Sequence, residues 1–571
     1  MASRTLACAL LLLSPLRQFA SAAHLAVRPQ DEGWVGADNP GVDSIFAQVN
    51  SPTHPGCAIE IVRNGRTLYS RGYGMANLRT GQPITPGTVY DIASLSKQFT
   101  AFIIMSLVEQ GRLRLDDDVH KYLPELPGYP RPVTIRHLLT HTSGLRDYLQ
   151  LFPLEGVQFE AVVTPGDALA MLVRQHGVNF SAGEEFEYSN SNYFLLSQVA
   201  ERIIGHSLAT LLNERVFGPL EMSHSTLLVR HGQIIPGAAE SYTPTGPGQF
   251  DRADYGWETL GDGAIHTTLD DLARWDENFY TAKVGTVAML RQMEQPATLN
   301  DGSRTRYGFG LGVSQYKGLP IITHSGGSVG FVSNVTRFPQ QHFSVITACG
   351  SRDFIPFNVY QRIADRYLAT EIAAASPPAA RSTPARLSSP TLHGYAGRYF
   401  SEQTGLTRDV VATDSSLKIN TLGGGLRPFT AEDSASFRAQ GIPVTVRFLP
   451  RPGRKWQLDE SVYTSQPTHF FRVADSVQRS PAQLEEFVGR YRSAEIDADW
   501  RVLRAGRELI LRRNGLGIVD DTLHQDFRDG YSSSVAPIRF IRNAAGRVTG
   551  MQVWEPAVRA LTLRRDVAGA R

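Results

Sequence analysis

The stretch DIASLSKQFTAFIIMSLVEQG, residues 91–111, constrains the fold more than any other part of the sequence. Apolar residues recur at helical spacing after Lys97, and Gly111 stands where a left-handed C-cap would end a helix. Ser94 therefore lies at the start of a predicted helix, where free N–H groups and the helix dipole favour negative charge. Lys97 follows one turn later, so its amine can reach the Ser94 hydroxyl. A lysine of lowered pKa in that place is a general base for a serine nucleophile.

The Ser-x-x-Lys pattern occurs three times, and its context distinguishes the copies. Ser415 and Lys418 lie in a strand pattern, where positions three apart face opposite sides. Ser314 and Lys317 precede Gly318 and a proline, which indicates a turn. Only the first copy has the helix start that the chemistry requires. The alternative for that copy is an N-capping serine followed by a surface lysine.

Composition places the chain among ordinary globular proteins. Its 571 residues are enough for roughly two to four domains. Hydrophobic residues make up 42% and charged residues 20%, which allows a large core. A formal net charge of +2 gives no support for binding nucleic acid or an anionic membrane surface. No apolar run beyond the N-terminal region reaches membrane-spanning length, and the oligomeric state stays open.

Residues 1–22 have the features of a secretory signal peptide. Arg4 precedes a short apolar stretch, and the small residues from Ala20 to Ala22 form a cleavage site. The alternative is an N-terminal helix, because a second arginine interrupts the apolar stretch. We therefore expect a periplasmic or secreted protein.

Two cysteines, Cys57 and Cys349, remain once the signal is removed, and each lies in a predicted strand. An exported protein can join them, but two buried thiols are the expectation here. Cys57 opens a predicted hairpin, residues 57–73, with its turn at Asn64-Gly65.

No metal-ligand cluster is evident. His137 and His141 are four residues apart at the end of a short predicted helix. Neither a carboxylate nor a third ligand accompanies them in that motif, so a structural role is favoured over a metal site.

A second candidate motif is Tyr188-Ser189-Asn190, the only Tyr-x-Asn sequence among 20 tyrosines. It immediately precedes an apolar helix pattern. A tyrosine at such a junction can transfer a proton, and the Asn190 amide can bind a substrate amide. The alternative is a packed tyrosine beside polar N-cap residues.

Two glycine-containing motifs follow in the same domain. Asp262 stands in a Gly-rich turn, where its carboxylate either satisfies backbone N–H groups or faces the cleft and binds a cationic substrate group. His324, Gly326 and Gly327 belong to the sequence HSGG on a predicted strand.

Residues 373–390 form a Pro/Ala/Ser linker. Beyond it, residues 391–476 and 484–566 repeat each other, with HGYAGRYF matching EEFVGRYR. Both copies are strand-rich, which predicts two small antiparallel β-barrels or one sandwich built twice. The linker also predicts separate cores, so that the preceding domain, residues 41–372, would be soluble alone.

The motifs Ser94-x-x-Lys97, Tyr188-x-Asn190 and His324-x-Gly326 occur in this order. With VTIRHLLTHTSGL and YGFGLGV, they make residues 41–372 resemble the serine β-lactamase and penicillin-recognising family, in its class C, esterase and D-aminopeptidase branch. The resemblance implies an α/β (α+β) domain with an antiparallel five-stranded sheet, flanking helices and a helical subdomain. The site would lie between the sheet and that subdomain. The first and last strands of such a sheet are adjacent, which would place the two strand cysteines side by side.

The resemblance also implies roles. Ser94 would form an acyl-enzyme while Lys97 and Tyr188 relay its proton, and Asn190 would position the substrate amide. The backbone N–H groups of Ser94 and Gly327 would form the oxyanion hole, with Gly326 in the same site. His324 would be a further catalytic residue that helps to orient Tyr188 or the bound peptide. Water would then hydrolyse the ester, with no metal or organic cofactor.

One position departs from the penicillin-directed members, which usually carry lysine where this chain has His324. Histidine is mostly neutral near pH 7 and binds a substrate carboxylate less firmly than a lysine does. Histidine here resembles the D-aminopeptidase group, which also carries two C-terminal β-barrel domains. The chain is similar, too, to hydrolases that cut linearised microcystin, a peptide rich in D- and unusual residues.

Three functions agree with these observations. The first is a serine peptidase or amidase acting on small peptides, and the second is an esterase or weak β-lactamase with the same machinery. The third is a non-catalytic penicillin-binding-like sensor. Intact Ser94, Lys97 and Tyr188 favour the enzymes, because a binding module does not need all three.

Overall fold

The computed structural model describes residues 39–375 and 385–566, with gaps at 422–424, 441, 443, 453, 463–466, 475–477 and 514–518. The predicted signal peptide and residues 376–384 of the predicted linker lie outside the described residues. The helices in chain order are α1 (Pro40–Asp43), α2 (Lys97–Glu109), α3 (Ile135–Leu139), α4 (Tyr148–Glu155), α5 (Pro165–Val173), α6 (Asn190–Ile204), α7 (Leu208–Leu212), α8 (Leu269–Thr281), α9 (Val287–Met293), α10 (Val359–Tyr367), α11 (Ala369–Ala375), α12 (Ser389–Tyr395) and α13 (Pro481–Leu484).

The strands before the linker form one large sheet and three small ones. They are β1 (Cys57–Arg63), β2 (Arg66–Tyr73), β3 (Met75–Asn77), β4 (Gln82–Pro83), β5 (Tyr90–Asp91), β6 (Thr226–Leu227), β7 (Tyr242–Gly246), β8 (Gln249–Arg252), β9 (Ile265–Thr267), β10 (Gly312–Tyr316), β11 (Leu319–Gly327), β12 (Val332–Phe338) and β13 (Phe343–Cys349). The large sheet is antiparallel with the order β10-β11-β12-β13-β1-β2. It has six strands, not the expected five, because β10 adds a hairpin to the edge of β11.

The predicted hairpin at the start of the sheet is confirmed. Its turn residues, Asn64 and Gly65, have φ values of 53° and 69°, which asparagine and glycine adopt most readily. Strand β1 also pairs with β13, so Cys57 lies directly opposite Cys349. The structure joins the two in a disulfide. The expected adjacency is therefore confirmed, and the expectation of two thiols is wrong.

Two closed barrels of eight antiparallel strands follow the linker. The first comprises β14 (Gly397–Phe400), β15 (Thr407–Ala412), β16 (Leu417–Asn420), β17 (Leu426–Ala431), β18 (Ser436–Ala439), β19 (Val444–Arg451), β20 (Arg454–Val462) and β21 (Thr468–Arg472). The second comprises β22 (Gly489–Ser493), β23 (Ala498–Ala505), β24 (Glu508–Arg513), β25 (Val519–Phe527), β26 (Gly530–Ser532), β27 (Ile538–Arg542), β28 (Val548–Glu555) and β29 (Val558–Arg565).

Equivalent residues of the two barrels make the same contact, which explains the sequence repeat. The Tyr399 hydroxyl donates to the Tyr395 carbonyl at 2.8 Å, and the Tyr491 hydroxyl donates to the Phe487 carbonyl at 2.7 Å. The matching GRY segments therefore begin the same first strand in each barrel, preceded by a short helical turn.

The apolar cores do not follow the expected boundaries. The first barrel has a core of its own. Buried side chains of the second barrel, among them Trp500 and Val558, belong to the same cluster as Phe99 and Leu151 of the preceding domain. The expectation of separate cores is therefore wrong for the second barrel. In the described part of the chain, no helix has the length and apolar composition needed to cross a bilayer.

Candidate active site

Ser94 lies in a single 3-10 turn, Ala93–Ser96, that leads into the buried helix α2. The residue before it, Ala93, has a positive φ of 47°, an uncommon conformation for a residue with a side chain. The Asp91 carboxylate holds that conformation by accepting the Ala93 N–H at 2.8 Å. Strained backbone of this kind persists only where the surrounding structure holds it, and it is found most often at functional sites.

The amine of Lys97 is the best-connected group of the site. Its Nζ donates to the Ser94 hydroxyl at 3.0 Å, to the Asn190 side-chain oxygen at 2.8 Å and to the Asp262 backbone carbonyl at 2.7 Å. The side chain is fully buried. Three bonds use all three protons of an ammonium group, so the lysine is fixed against the serine.

Burial decides the protonation of this lysine. Loss of hydration lowers the pKa of Lys97 to about 8, although the nearby carboxylates of Asp262 and Asp147 act in the opposite direction. At pH 7, roughly one tenth of such a group is the free amine. The site therefore contains the base that the Ser-x-x-Lys motif predicts.

Asn190 connects this lysine to a residue that the sequence analysis missed, Asp147. The Asp147 carboxylate accepts the side-chain N–H of Asn190 at 2.7 Å and its backbone N–H at 3.0 Å. Both ends of the Asn190 amide are thus engaged within the protein, with Lys97 and Asp147. In this structure Asn190 orients the lysine, whereas the sequence assigned it to the substrate amide. In the sequence, Asp147 is visible only as a residue preceding a helix, and it does cap α4 through Leu149.

Asp262 does not face an open cleft. The residue is only 6% exposed, and Tyr148 of α4 donates a hydrogen bond to its carboxylate at 2.8 Å. The other carboxylate oxygen has no hydrogen-bond partner in the described part of the chain. Burial raises the pKa of Asp262, while Lys97 opposes that change. The structure therefore shows a buried carboxylate behind Lys97 rather than one that is exposed in a cleft.

Tyr188 lies on the other side of the lysine. Its ring centre is 4.9 Å from the Lys97 Nζ, a cation–π distance. Burial raises the pKa of Tyr188 well above its usual range, and the Ser94 hydroxyl acts in the opposite direction. The phenol oxygen is buried and has no hydrogen bond of good geometry to any described residue. A protonated, unengaged phenol beside the serine suits a proton donor.

His141 and two tyrosines that the sequence analysis did not assign enclose Tyr188. The ring centre of His141 is 4.2 Å from that of Tyr188, 5.1 Å from Tyr193 and 4.8 Å from Tyr307. Burial lowers the pKa of His141 well below its usual range, so the ring is neutral. Its Nδ1 accepts the Ser189 backbone N–H at 3.2 Å. This histidine packs the tyrosine cluster, in keeping with the structural role predicted for it.

His324 approaches the same cluster from strand β11. The Tyr307 hydroxyl lies 2.8 Å from its Nε2, and the Ser325 carbonyl lies 2.7 Å from its Nδ1. Since a carbonyl only accepts, we assign the proton to Nδ1, and Nε2 accepts from Tyr307. Burial and the Lys97 charge lower the pKa of His324 to about 3. His324 is therefore a neutral positioning group rather than a cation.

Strand β11 passes directly against the nucleophile turn at Gly326. A Cβ atom on Gly326 would lie 2.1 Å from the Ile92 carbonyl oxygen and 2.3 Å from the Ser333 hydroxyl. Only glycine allows this approach. This approach places Gly327, the last residue of β11, beside the turn that carries Ser94. The predicted oxyanion hole requires these two residues to be neighbours.

The other two Ser-x-x-Lys sequences lack this arrangement. Lys317 stands in the turn after β10 and pairs with Asp365 at 2.5 Å. Ser415 is exposed in a loop, and Lys418 is exposed on β16. Among the described residues, no group of three histidine, cysteine or acidic side chains could hold a metal ion.

Comparisons with known proteins agree with this geometry. The profile of the Beta-lactamase family matches residues 42–370. The chain belongs to the Beta-lactamase family. Together with the curated relatives, this membership makes it a serine hydrolase of the peptidase and amidase kind.

The similarity to known proteins extends beyond the domain that the family profile matches. The chain is 28% identical to a D-aminopeptidase of Brucella ovis over 519 residues, 87% of this chain and 93% of the relative. It is 27% identical to a D-aminopeptidase of Gluconobacter oxydans, over 78% of this chain and 80% of the relative. The octameric penicillin-binding protein homologue from Pyrococcus abyssi shares the fold, with a TM-score of 0.53, 22% identity, and coverage of 76% of this chain and 99% of that one.

Proposed function

We propose that the protein is an exported serine peptidase or amidase that forms an acyl-enzyme on Ser94. Its substrates would be small peptides with D- or other unusual residues, including linearised cyclic peptides such as microcystin. The observation that carries the proposal is the setting of Lys97, which is buried, has a lowered pKa and is bonded to Ser94. Curated relatives that match most of the chain are D-aminopeptidases, which supports the substrate class.

The first chemical step is acylation. When Lys97 is a free amine, the Ser94 hydroxyl donates to it across the 3.0 Å contact and Oγ attacks the substrate carbonyl carbon. The backbone N–H groups of Ser94 and Gly327 stabilise the oxyanion, each by about 3 kcal/mol. The C–N bond then breaks, and the leaving amine takes a proton from Tyr188, which regains one from Lys97.

The second step is deacylation. Water attacks the Ser94 ester and gives its proton to the free amine of Lys97. As the ester C–O bond breaks, Lys97 returns that proton to Ser94 Oγ, either directly or through Tyr188, so the acid product leaves with the serine restored. Burial keeps the phenol of Tyr188 protonated in the resting enzyme, so the phenol is ready to donate at the start of each cycle.

Charge around the serine supports a substrate with a free amino group. The buried groups that flank Lys97 are the carboxylates of Asp147 and Asp262 and the neutral rings of His141 and His324. One cation against two carboxylates gives a net negative site once both acids are ionised. Such a field attracts an ammonium group and repels a substrate carboxylate. It opposes anionic β-lactams, which other members of this fold bind.

The test is a comparison of kcat/KM on matched substrates. D-alanine p-nitroanilide should be cleaved at least about tenfold better than its N-acetyl form and than a chromogenic cephalosporin, because only the first carries an ammonium group. Linearised microcystin, assayed by mass spectrometry, tests the wider substrate class. Equal rates on all substrates, or turnover of p-nitrophenyl esters alone, would overturn the peptidase proposal in favour of an esterase.

Ser94→Ala is the matched control for this test. It should lower kcat by roughly 10³-fold or more, as removal of a nucleophile does elsewhere. Ser314→Ala, which changes another Ser-x-x-Lys serine, should leave kcat unchanged. Activity of Ser94→Ala within about tenfold of the wild type would rule out the acyl-enzyme.

Export rests on two features. The sequence of residues 1–22 has the pattern of a secretory signal, and the Cys57–Cys349 disulfide suits an oxidising compartment. Cell fractionation and N-terminal sequencing of the mature protein test it. Recovery in the cytoplasm with an intact N-terminus would contradict export.

A further inference from the structure

The turn between β28 and β29 in the second barrel lies against the catalytic domain. The Ala557 carbonyl accepts two hydrogen bonds, from the Asp147 backbone N–H at 2.9 Å and from the Asn179 side chain at 2.8 Å. The backbone N–H of Arg559 donates to the same Asn179 side chain at 2.9 Å. Ala557 has a positive φ of 54°, so the turn is held in an uncommon conformation at this contact.

The guanidinium of Arg559 adds a charged clamp beside this turn. It bonds Glu185 at 2.9 Å and contacts Glu187 through two nitrogens, at 2.9 Å and 2.8 Å. Only 11% of the Arg559 side chain and 18% of the Glu187 side chain are exposed. The guanidinium also lies 5.0 Å from the Phe180 ring centre. Loss of such a buried arginine leaves the carboxylates without their ionic partner, which costs far more than loss of a surface pair.

These contacts converge on the neighbours of two catalytic groups. Glu187 directly precedes Tyr188 in the chain. Asp147 holds Asn190, which in turn accepts a hydrogen bond from Lys97. Arg559 therefore contacts the residue that precedes the proposed proton donor. The turn at Ala557 is three hydrogen bonds from the proposed base, through Asp147 and Asn190.

We propose that Arg559 and the turn around Ala557 are positioning elements for catalysis, with Arg559 fixing Tyr188 through Glu187. This inference rests on the function proposed above, because it gives Tyr188 a role in proton transfer. It assigns to the second barrel a part in the chemistry that its strand topology alone does not indicate. A displacement of about 1 Å in a reacting group can cost 10²-fold in rate, so small shifts of this segment have large effects.

The experiment measures the acylation rate in full-length protein, as the burst phase with p-nitrophenyl acetate, together with the melting temperature. Arg559→Ala should slow acylation about 10- to 100-fold, with a smaller change in KM. Glu187→Gln, which keeps the shape of the side chain, should slow acylation in the same direction if Arg559→Ala does not fold. Arg559→Lys keeps the charge and should recover part of the rate.

A matched control exists within the same barrel. Arg542 clamps Glu486 and Asp529 at distances of 2.7 to 3.0 Å, away from the catalytic domain. Arg542→Ala and Glu486→Gln should lower the melting temperature while the acylation rate of the folded protein stays within about twofold. If the Arg559 and Glu187 variants behave like these controls, the clamp is only structural and the inference is overturned.

The outcome of this inference is separable from that of the proposed function. If Ser94→Ala keeps the burst, the acyl-enzyme proposal fails whatever the clamp variants do. If Ser94→Ala abolishes the burst and the clamp variants acylate normally, only the positioning inference fails.

Discussion

The protonation of Lys97 decides how the site responds to pH. As a general base the lysine acts as the free amine, so kcat/KM should rise as pH passes through its pKa of about 8. The carboxylates of Asp262 and Asp147 stabilise the ammonium form and hold that pKa higher than burial alone would leave it. Burial raises the pKa of Asp147 to about 6, so this carboxylate is charged throughout the range where the lysine titrates.

Asp262→Asn should therefore move the rising limb of the pH–rate profile to lower pH. The substitution removes a negative charge near Lys97 and lowers the lysine pKa, while the asparagine oxygen still accepts the Tyr148 hydrogen bond. A full profile of kcat/KM between about pH 5 and 10 measures the shift. Asp520→Asn, at a surface pair with Arg512, is the control and should leave the limb in place. An unmoved limb, or one that moves to higher pH, would contradict this account of the base.

Among the single residues of the site, the sequence could predict those that belong to recognisable motifs. It could not predict the residues that hold the motif side chains in place. Ser94 and Lys97 are one helical turn apart, so their contact follows from local geometry. Asp147 is far from Asn190 in sequence, and a lone aspartate before a helix is indistinguishable from an ordinary cap. The burial of Asp262 could not be predicted for a related reason, since it depends on Tyr148, a residue that no local pattern connects to the turn.

At the scale of single elements, the close approach of β11 to the nucleophile turn depends on one glycine. Gly326→Ala should disrupt the site, because the added methyl group would lie 2.1 Å from the Ile92 carbonyl and force the strand away. We expect at least a 10²-fold loss of kcat/KM with the fold retained, measured by kinetics and far-UV circular dichroism. Gly128→Ala, where a Cβ meets nothing within 4 Å, should be neutral. Near wild-type activity of Gly326→Ala would show that the strand can shift without harm.

The disulfide links β1 to β13, two adjacent inner strands of the large sheet. Cys57 and Cys349 are 292 residues apart in the chain, so the bond restricts the unfolded state over a long loop. Replacing both with alanine should lower the free energy of unfolding by about 2–5 kcal/mol. Urea denaturation with and without reductant measures it, and the alanine variant should no longer respond to reductant. Equal stability in both conditions for the wild type would contradict a formed disulfide.

Strand patterns predicted most elements of the large sheet, and the exceptions have physical reasons. The hairpin of β1 and β2 carries a local signal in its Asn-Gly turn. Strand β10, residues 312–316, lies at the edge of the sheet and has no fully buried position. Its sequence therefore shows no alternation of buried and exposed residues and differs little from that of a loop. The adjacency of the two cysteines was predicted from the order of strands in the sheet, not from any local signal. The sequence did not favour a disulfide over two thiols.

For the whole molecule, the repeat predicted two similar strand-rich units, either as two barrels or as one sandwich built twice, but not their unequal attachment. Most apolar side chains of the first barrel form a cluster of their own, although Phe400 packs against Phe527 and Trp554 of the second barrel. The second shares its cluster with the catalytic domain and adds the pairing of Arg146 with Glu495 at 3.0 Å. A linker indicates that the two segments directly before and after it make few contacts with each other. It carries no information about a distant barrel that folds back onto the domain.

Truncation after Ala375 should therefore damage the catalytic domain. The deletion would uncover apolar side chains of the shared cluster and leave Arg146, which is only 6% exposed, and Glu187 without their ionic partners. Exposed apolar surface promotes aggregation, and buried charges without partners destabilise the fold. We expect the truncated chain to be largely insoluble, and its soluble fraction to bind a hydrophobic dye and to lack the acylation burst. A chain that ends after residue 375, melts cooperatively as a monomer and acylates at the full-length rate would show that the second barrel is dispensable. That result would support the separate cores that the linker predicts.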